Sequence, residues 1–278
     1  MVPIIDTHLH LIYQDRLRYP WLAEHPALNR EFHLDDYRSQ AEALGIAAAL
    51  HMEVDVAEED QAAETDFVTG LGAPVIGAIA ACRPEATDFA ARLDMIATNP
   101  AVRGLRRILH TSADELGQRP IFAENLRRLA AYDLSFDLCV LARQLPMAAQ
   151  LAQACPDIRF VLDHCGVPDV AGGALDPWRA DIRRLAERPN VSCKISGVVA
   201  YAGADWTTAA LRPFVEHCIE AFGWDRVVWG SDWPVCTLTA DLPRWVAASR
   251  DLVSGCGESE VAALFHVNAR RIYRLGGS

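Results

Sequence analysis

The chain alternates between short apolar runs and segments in which apolar residues recur every three or four positions. Each apolar run has the length of a strand, and each periodic segment is typical of a helix packed on one face. Eight strands are predicted, at 2–7, 46–51, 75–81, 102–109, 135–140, 159–163, 191–195 and 226–230. Strands that alternate with helices pair in parallel through right-handed crossovers, so the pattern predicts an α/β fold.

Start signals locate several of the helices. Asp35 opens one helix and Tyr37 lies on its apolar face, whereas Asp176 caps another and places Pro177 at the first helical position. Further helices are predicted at 125–131, 145–154, 211–222, 258–265 and 268–275.

The number of strand–helix units favours a closed (β/α)8 TIM barrel over an open sheet. A doubly wound sheet usually has a glycine-rich first turn, but here the first strand ends in His-Leu-His. The chain has 278 residues, and a (β/α)8 barrel runs to about 250 residues as one unit. We therefore predict a single domain over 1–278.

Composition and charge narrow the class of protein. Hydrophobic residues make up 51% and charged residues 23% of the chain, which is the balance of a protein with a large core. The net charge of −11 argues against a nucleic-acid or anionic membrane partner, both of which attract basic surfaces. No apolar run approaches the roughly 20 residues that span a bilayer. Asp6 and His8 also interrupt the N-terminal apolar stretch too early for a signal peptide. We expect a cytoplasmic protein.

The cysteine pattern agrees with that compartment. Eight cysteines are scattered without a CxxC pair, and those in strands read as small buried hydrophobes. A reduced protein is the simpler interpretation.

Asp-Thr-His-Leu-His at the end of the first strand is the first candidate for chemistry. Side chains at i and i+2 share one face of a strand, so Asp6, His8 and His10 point the same way. Two imidazoles that converge can share one divalent cation. Taken alone, the pair could equally be two structural or surface histidines.

Two later strand ends support the functional interpretation. His164 follows the apolar sixth strand and precedes a glycine two residues on, and Asp232 ends the eighth strand in Gly-Ser-Asp-Trp-Pro. A carboxylate at such a position is unfavourable unless it meets a cation, a metal or a hydrogen-bond donor. In a barrel these ends gather at the face where active sites form.

Basic residues lie at the ends of two further predicted strands, the fourth and the seventh. Lys194, at the end of the seventh strand, is the only lysine of the chain, which indicates a role that arginine does not fill. The alternative is that Lys194 is a surface residue retained by chance. Arg106 and Arg107 end the fourth strand, and only one of them can face the interior because neighbours alternate. The inward guanidinium would bind a carboxylate, a carbonyl oxygen or hydroxyls.

Three connections after strands, at 12–33, 197–207 and 233–242, are longer and more aromatic than tight turns require. They would meet at the same face of the barrel. We expect Trp21, Tyr201 and Trp233 to bind the substrate.

These motifs resemble the amidohydrolase-related TIM-barrel family that includes sugar-acid lactonases of the L-fucono- and L-rhamnono-lactonase type. The resemblance covers almost the whole chain. It is carried by the motifs DTHLH (6–10), YPWL (19–22), GLRR (104–107), RQLP (143–146), DH (163–164), CKISG (193–197), GSDWPV (230–235) and NARRIY (268–273). Leu9 and His110 stand where glutamines are common, and Val167 where a lysine is common, which puts the substrate in doubt more than the reaction.

The resemblance implies a hydrolase that opens a lactone, with catalytic roles for Asp232, His164, Lys194 and Arg106. Asp232 would act as the base that activates water, and Arg106 and Lys194 would hold or polarise the substrate. The metal ligands would be His8, His10, His164 and Asp232, holding one divalent cation, of which Zn²⁺ is favoured. The lactonase branch also works without a tightly held metal, so the need for the cation stays open.

Two other classes of function are weighed against the lactonase. A decarboxylase of the same fold uses the same His and Asp set on a small carboxylic acid, and a non-catalytic barrel could bind a sugar acid. The partner is a small molecule in each case, and the sequence leaves homo-oligomer formation open.

Overall fold

The computed structural model describes residues 2–276. It contains eight strands: β1 (Ile4–Leu9), β2 (Ile46–Met52), β3 (Val75–Ala81), β4 (Val102–Ile108), β5 (Ser135–Cys139), β6 (Arg159–Leu162), β7 (Val191–Ile195) and β8 (Val227–Trp229). Each overlaps a predicted strand, because most residues of each run are buried and the run is bounded by polar or turn residues.

The strands form one parallel sheet in the order β1 to β8, in which each strand pairs with the next along the chain. The two ends of the sheet meet, since Leu9 forms a parallel bridge with Trp233 and the His10 amide donates to the Trp233 carbonyl at 2.7 Å. The Thr7 hydroxyl also donates to the Trp229 carbonyl at 2.8 Å. The predicted single-domain (β/α)8 barrel is confirmed.

The helices that surround the strands are α1 (Leu34–Ala41), α2 (Gln61–Thr69), α3 (Phe89–Ile96), α4 (Pro120–Arg127), α5 (Leu145–Ala154), α6 (Trp178–Ala186), α7 (Thr208–Phe222), α8 (Leu242–Leu252), α9 (Glu258–Ala262) and α10 (Asn268–Ile272). The prediction of 145–154 matches α5. The helix predicted at 125–131 instead begins at Pro120, because proline lacks the amide hydrogen that the first helical position leaves unpaired. Pro177 stands just before α6 and not within it.

The predicted helices do not include α2, α3 or α8, although α3 and α8 carry apolar residues on their buried faces. The buried positions of α2 include Glu64 and Thr65, so its inner face carries almost no apolar periodicity. Hydrophobic periodicity is the main signal for a helix, and it fails when the buried face is polar.

The lower interior of the barrel is apolar. Ile5, Leu50, Val161 and Val228 fill it, and Tyr273 and its neighbours from α10 pack against them. The polar side chains lie above this layer, at the carboxyl ends of the strands.

All eight cysteines are free thiols in the described part of the chain. No helix between residues 2 and 276 is long and apolar enough to cross a bilayer.

Candidate active site

Polar side chains from seven of the eight strand ends converge at one end of the barrel. All of them are buried: His8, His10, Glu53, Arg106, Asp137, Asp163, His164, Lys194 and Asp232. Parallel strands bring their carboxyl ends to the same edge, which is why residues scattered over more than 220 positions meet in one volume.

The two histidines of β1 face each other through their ring nitrogens. Nε2 of His8 lies 3.1 Å from Nε2 of His10. Nδ1 of His10 lies 2.9 Å from the carbonyl of Met52, which can only accept, so this nitrogen carries the hydrogen and Nε2 keeps a lone pair. Burial lowers the pKa of His10 to about 4 and that of His8 well below its usual value, with Lys194 adding to the effect on His8. Both rings are therefore neutral at pH 7.

Asp232 completes a group with these two rings. Its Oδ1 lies 3.5 Å from Nε2 of His10 and 3.7 Å from Nε2 of His8. The backbone of Asp232 is left-handed, with φ of 56°, and its amide donates to the His8 carbonyl at 2.9 Å. Burial raises the pKa of Asp232 to about 6, although His164 and Arg106 act against the rise. A carboxylate with such a pKa is poised to accept and return a proton near neutral pH.

His164 lies beside this group but not fully within it. Its ring centroid is 4.5 Å from that of His8, and its Nδ1 is hydrogen-bonded to the Ser196 hydroxyl at 2.9 Å. The donor atoms of His8, His10 and Asp232 lie within 4.8 Å of one another, whereas His164 groups in this way with His8 and Asp163. The four predicted ligands thus fall into two triads that share His8, and the second triad also contains Asp163, which was not predicted as a ligand.

Glycines in two of the motifs make room for these rings. A Cβ atom on Gly197 would lie 2.4 Å from Nδ1 of His164, and Gly197 has φ of +64°. A Cβ atom on Gly230 would lie 2.6 Å from the Cβ of His8. Both glycines are therefore required by the close approach of a site residue.

Arg106 is the inward-facing arginine of β4. Its Nε donates to Oε1 of Glu53 at 2.6 Å and its Nη2 to the Glu53 carbonyl at 2.6 Å. Its Nη1 lies 3.3 Å from Nε2 of His8. Burial acts to lower the pKa of Arg106, but Glu53 and other nearby groups raise it, so the guanidinium stays charged. Arg107 faces outward and pairs with Glu85 at 2.9 Å, as neighbour alternation requires.

Lys194 is fully buried below the cavity and does not line it. Its Nζ donates to Asp137 at 2.6 Å and lies 2.9 Å from Asp163 and 3.3 Å from Nδ1 of His8. Burial acts to lower its pKa, but the two carboxylates raise it above the usual value. Lys194 therefore keeps its proton, and because it does not line the cavity, its expected contact with the substrate does not fit this position.

Of the three aromatic residues expected to bind the substrate, two line the cavity and one does not. Trp21 and Tyr201 line the cavity, and the Trp21 indole donates to the Val54 carbonyl at 2.8 Å. Trp233 is not in the lining. It packs against Phe32, with ring centroids 5.4 Å apart, because the bridge that closes the barrel turns its side chain toward α1. Its predicted contact with substrate does not fit this position.

Three buried carboxylates of the site were not predicted. Glu53 follows β2, Asp137 lies within β5, and Asp163 directly precedes His164. Burial alone would raise the pKa of Asp163, but Lys194 and His8 hold it well below its usual range. The signal that could have found them is an acidic residue in or just after an otherwise apolar strand.

These residues lie beneath a cavity of about 270 Å³. Its floor consists of four buried polar residues, His10, Arg106, His164 and Asp232, and its wall comes from the connections after the strands. The expected site residues that reach the cavity are these four together with Trp21 and Tyr201.

The donor set suits a divalent cation. Two ligands at about 2.0–2.1 Å in tetrahedral geometry lie about 3.3 Å apart, which is close to the spacing of the two Nε2 atoms. Two neutral imidazoles and one carboxylate also form a common three-ligand set that leaves a position open for water. Glu53, Asp137 and Asp163 already form ion pairs with Arg106 or Lys194, so Asp232 is left to meet the added charge.

Comparisons with known proteins identify the family of the chain. The family model described as Amidohydrolase matches residues 5–275. An L-fucono-1,5-lactonase of Burkholderia ambifaria is 33% identical over 221 residues, 78% of this chain and 74% of that protein. An L-fucono-1,5-lactonase of Burkholderia multivorans is 30% identical over 293 residues, 98% of this chain and 96% of that protein.

A solved structure has the same architecture. The crystal structure of an amidohydrolase from Burkholderia multivorans, with bound zinc, superimposes with a TM-score of 0.90 at 29% identity, covering 99% of this chain and 100% of that one. The family match spans nearly the whole barrel, including every strand that carries a site residue. The chain belongs to the amidohydrolase family.

Proposed function

We propose that this protein hydrolyses a lactone, with Asp232 as the general base. The observation that carries the proposal is the position of Asp232 on the cavity floor, within 3.7 Å of both β1 histidines. The two lactonases among its relatives support the reaction class.

In the proposed reaction, water attacks the carbonyl carbon of the ring ester and Asp232 accepts the proton of that water. The tetrahedral intermediate then collapses, the bond from the acyl carbon to the ring oxygen breaks, and protonated Asp232 returns the proton to the departing oxygen. The product is the open hydroxy acid. General-base catalysis of this kind contributes typically 10²–10⁴-fold.

Charge that develops on the carbonyl oxygen needs a preorganised positive partner. Arg106 is the cationic side chain of the floor, and its hydrogen bonds to Glu53 fix its orientation. A divalent cation held by His8, His10 and Asp232, with His164 alongside, would supply Lewis acidity and lower the pKa of a bound water when present. We propose Zn²⁺ for this position.

His164 and Lys194 take supporting parts in this proposal. Burial lowers the pKa of His164, so its neutral ring has no extra proton to give, and it orients the water or the ring oxygen instead. Lys194 acts through Asp163 and His8 and is a positioning residue.

The proposed substrate is a sugar-acid lactone, and the protein would then act in carbohydrate metabolism in the cytoplasm. The names of the lactonase relatives support the substrate class, and the eight free thiols agree with a reducing compartment. A small neutral lactone also suits a cavity lined by the guanidinium of Arg106 and the carboxylates of Asp55 and Asp232, because it adds no further charge.

The negative charges that line the cavity disfavour the decarboxylase alternative. Two carboxylates, Asp55 and Asp232, face the cavity and would repel a carboxylate substrate more than a neutral lactone.

The test is a panel of aldonolactones assayed by proton release with a pH indicator, after chelation and after Zn²⁺ is restored. We expect turnover by the wild type and a loss of at least 10²-fold in Asp232→Asn, with an unchanged circular dichroism spectrum. Turnover by Asp232→Asn at the wild-type rate would remove the proposed base. Release of CO₂ from aromatic acids without lactone hydrolysis would favour the alternative.

A further inference from the structure

A second carboxylate lines the cavity, on its wall. Asp55 follows β2 and is half-buried, and its side chain has no hydrogen bond or ion pair with any residue in the described range 2–276. Burial and the neighbouring Glu53 raise its pKa above the usual value. The Asp55 carboxylate therefore has no donor from the protein, and a ligand in the cavity can supply one.

Hydrogen bonds from side chains fix the backbone around Asp55. The Asp55 amide donates to Oε2 of Glu53 at 2.8 Å, and the Val54 amide donates to Oε1 of the buried Glu64 at 2.9 Å. The Trp21 indole donates to the Val54 carbonyl. These contacts use two buried carboxylates and an indole to fix one short segment, so the position of Asp55 is preorganised.

The backbone conformation of Asp55 is also specialised. Its φ is 48°, in the left-handed region, which aspartate and asparagine tolerate better than most residues. Such conformations concentrate at ligand-binding sites, where the surrounding structure maintains them.

The link to the floor of the cavity runs through Glu53. One oxygen of Glu53 accepts from Arg106 and the other from the Asp55 amide. Glu53 therefore fixes the position of the Arg106 guanidinium relative to the backbone of Asp55. A ring whose carbonyl lies over Arg106 would present its substituents to Asp55.

We propose that Asp55 is a specificity-determining residue that accepts hydrogen bonds from hydroxyl groups on the lactone ring. This inference rests on the proposed function. It assigns Asp55 to substrate recognition and leaves proton transfer to Asp232 on the floor. A carboxylate acceptor discriminates strongly, because a substrate without the hydroxyl leaves a partly buried charge unpaired.

The test compares two substrates in three proteins. The substrates are a hydroxylated aldono-1,5-lactone and unsubstituted δ-valerolactone, with spontaneous hydrolysis subtracted. Asp55→Asn keeps the size of the side chain and tolerates a positive φ, and Asp55→Gly removes the side chain without backbone strain. The matched control is Asp157→Asn, in the exposed turn between α5 and β6 at the opposite end of the barrel.

We expect the ratio of kcat/KM for the hydroxylated over the unsubstituted lactone to fall about tenfold or more in Asp55→Gly, and by less in Asp55→Asn, whose amide oxygen still accepts a hydrogen bond. The loss with δ-valerolactone should be smaller than the loss with the hydroxylated lactone, and all values for Asp157→Asn should stay at the wild-type level. An unchanged ratio, or an equal loss with both substrates, would overturn the assignment of Asp55 to hydroxyl recognition.

A binding measurement separates this inference from the proposed reaction. Calorimetry with 1,5-anhydro-D-glucitol, which has the hydroxylated ring but no ester, should show binding that weakens about tenfold or more in Asp55→Gly, which removes the acceptor. If the wild type binds this probe through Asp55 but hydrolyses no lactone, the proposed function fails and the recognition role stands. Equal binding by wild type and Asp55→Gly overturns the role.

Discussion

Lys194 and Asp137 form an ion pair of 2.6 Å in which neither side chain is exposed to solvent. The Tyr273 hydroxyl donates to the same carboxylate at 2.8 Å, and Asp163 lies on the other side of the ammonium at 2.9 Å. Breaking a buried pair by removing one partner leaves an uncompensated charge in the interior.

Lys194→Ala should therefore reduce the free energy of unfolding by about 3–5 kcal/mol. Urea denaturation measures this. The control is Arg143→Ala, which removes an exposed ion pair with Asp114 and should change stability little. If both variants unfold at the same urea concentration as the wild type, the pair does not stabilise the barrel.

Asp232 should titrate near pH 6 in the chelated protein, because burial raises its pKa to about 6. The carboxylate is the basic form, so metal-free activity should fall as the pH decreases through this value. A carbon-detected NMR titration of the Asp232 carboxyl resonance measures the pKa without relying on turnover. Asp232→Asn identifies the signal by its loss. An apparent pKa near 4 would show that burial does not control this group.

The donor set predicts one divalent cation for each chain, dependent on His10. Zn²⁺ added to the chelated protein should bind with a stoichiometry of one by calorimetry, and His10→Ala should weaken binding by tenfold or more. His110→Ala is the matched control, since His110 also lines the cavity but belongs to neither donor triad. Equal affinities in the two variants would place the metal elsewhere.

Gly197→Ala should displace His164, because the new Cβ atom would lie 2.4 Å from its Nδ1. Gly203→Ala is a control for backbone strain alone: Gly203 has φ of +76°, but nothing lies within 4 Å of its Cβ position. We expect Gly203→Ala to lose about 1–2 kcal/mol of stability with unchanged kcat. Gly197→Ala should lose more stability and also reduce kcat, and identical behaviour of the two variants would contradict the steric account.

The sequence determined the barrel and the edge at which its chemistry gathers. Apolar runs of strand length need no tertiary information to be recognised, and eight of them alternating with helices leave few topologies. The spacing of His8 and His10 was sufficient to place both rings on one face, because side chains alternate along a strand. The same alternation allowed only one of Arg106 and Arg107 to face inward.

Only the tertiary structure decided which of these residues reach a ligand. Lys194 ends a strand as His164 does, yet it lies one layer deeper, between two carboxylates from neighbouring strands. Trp233 follows Asp232 directly but turns away from the cavity where the barrel closes. Asp55 gave no signal in the sequence, because its importance comes from the distant side chains that fix its backbone. The depth of a side chain, the place where the barrel closes and the fixed backbone of a loop residue all depend on contacts between residues far apart in the chain. A local sequence pattern does not contain these contacts.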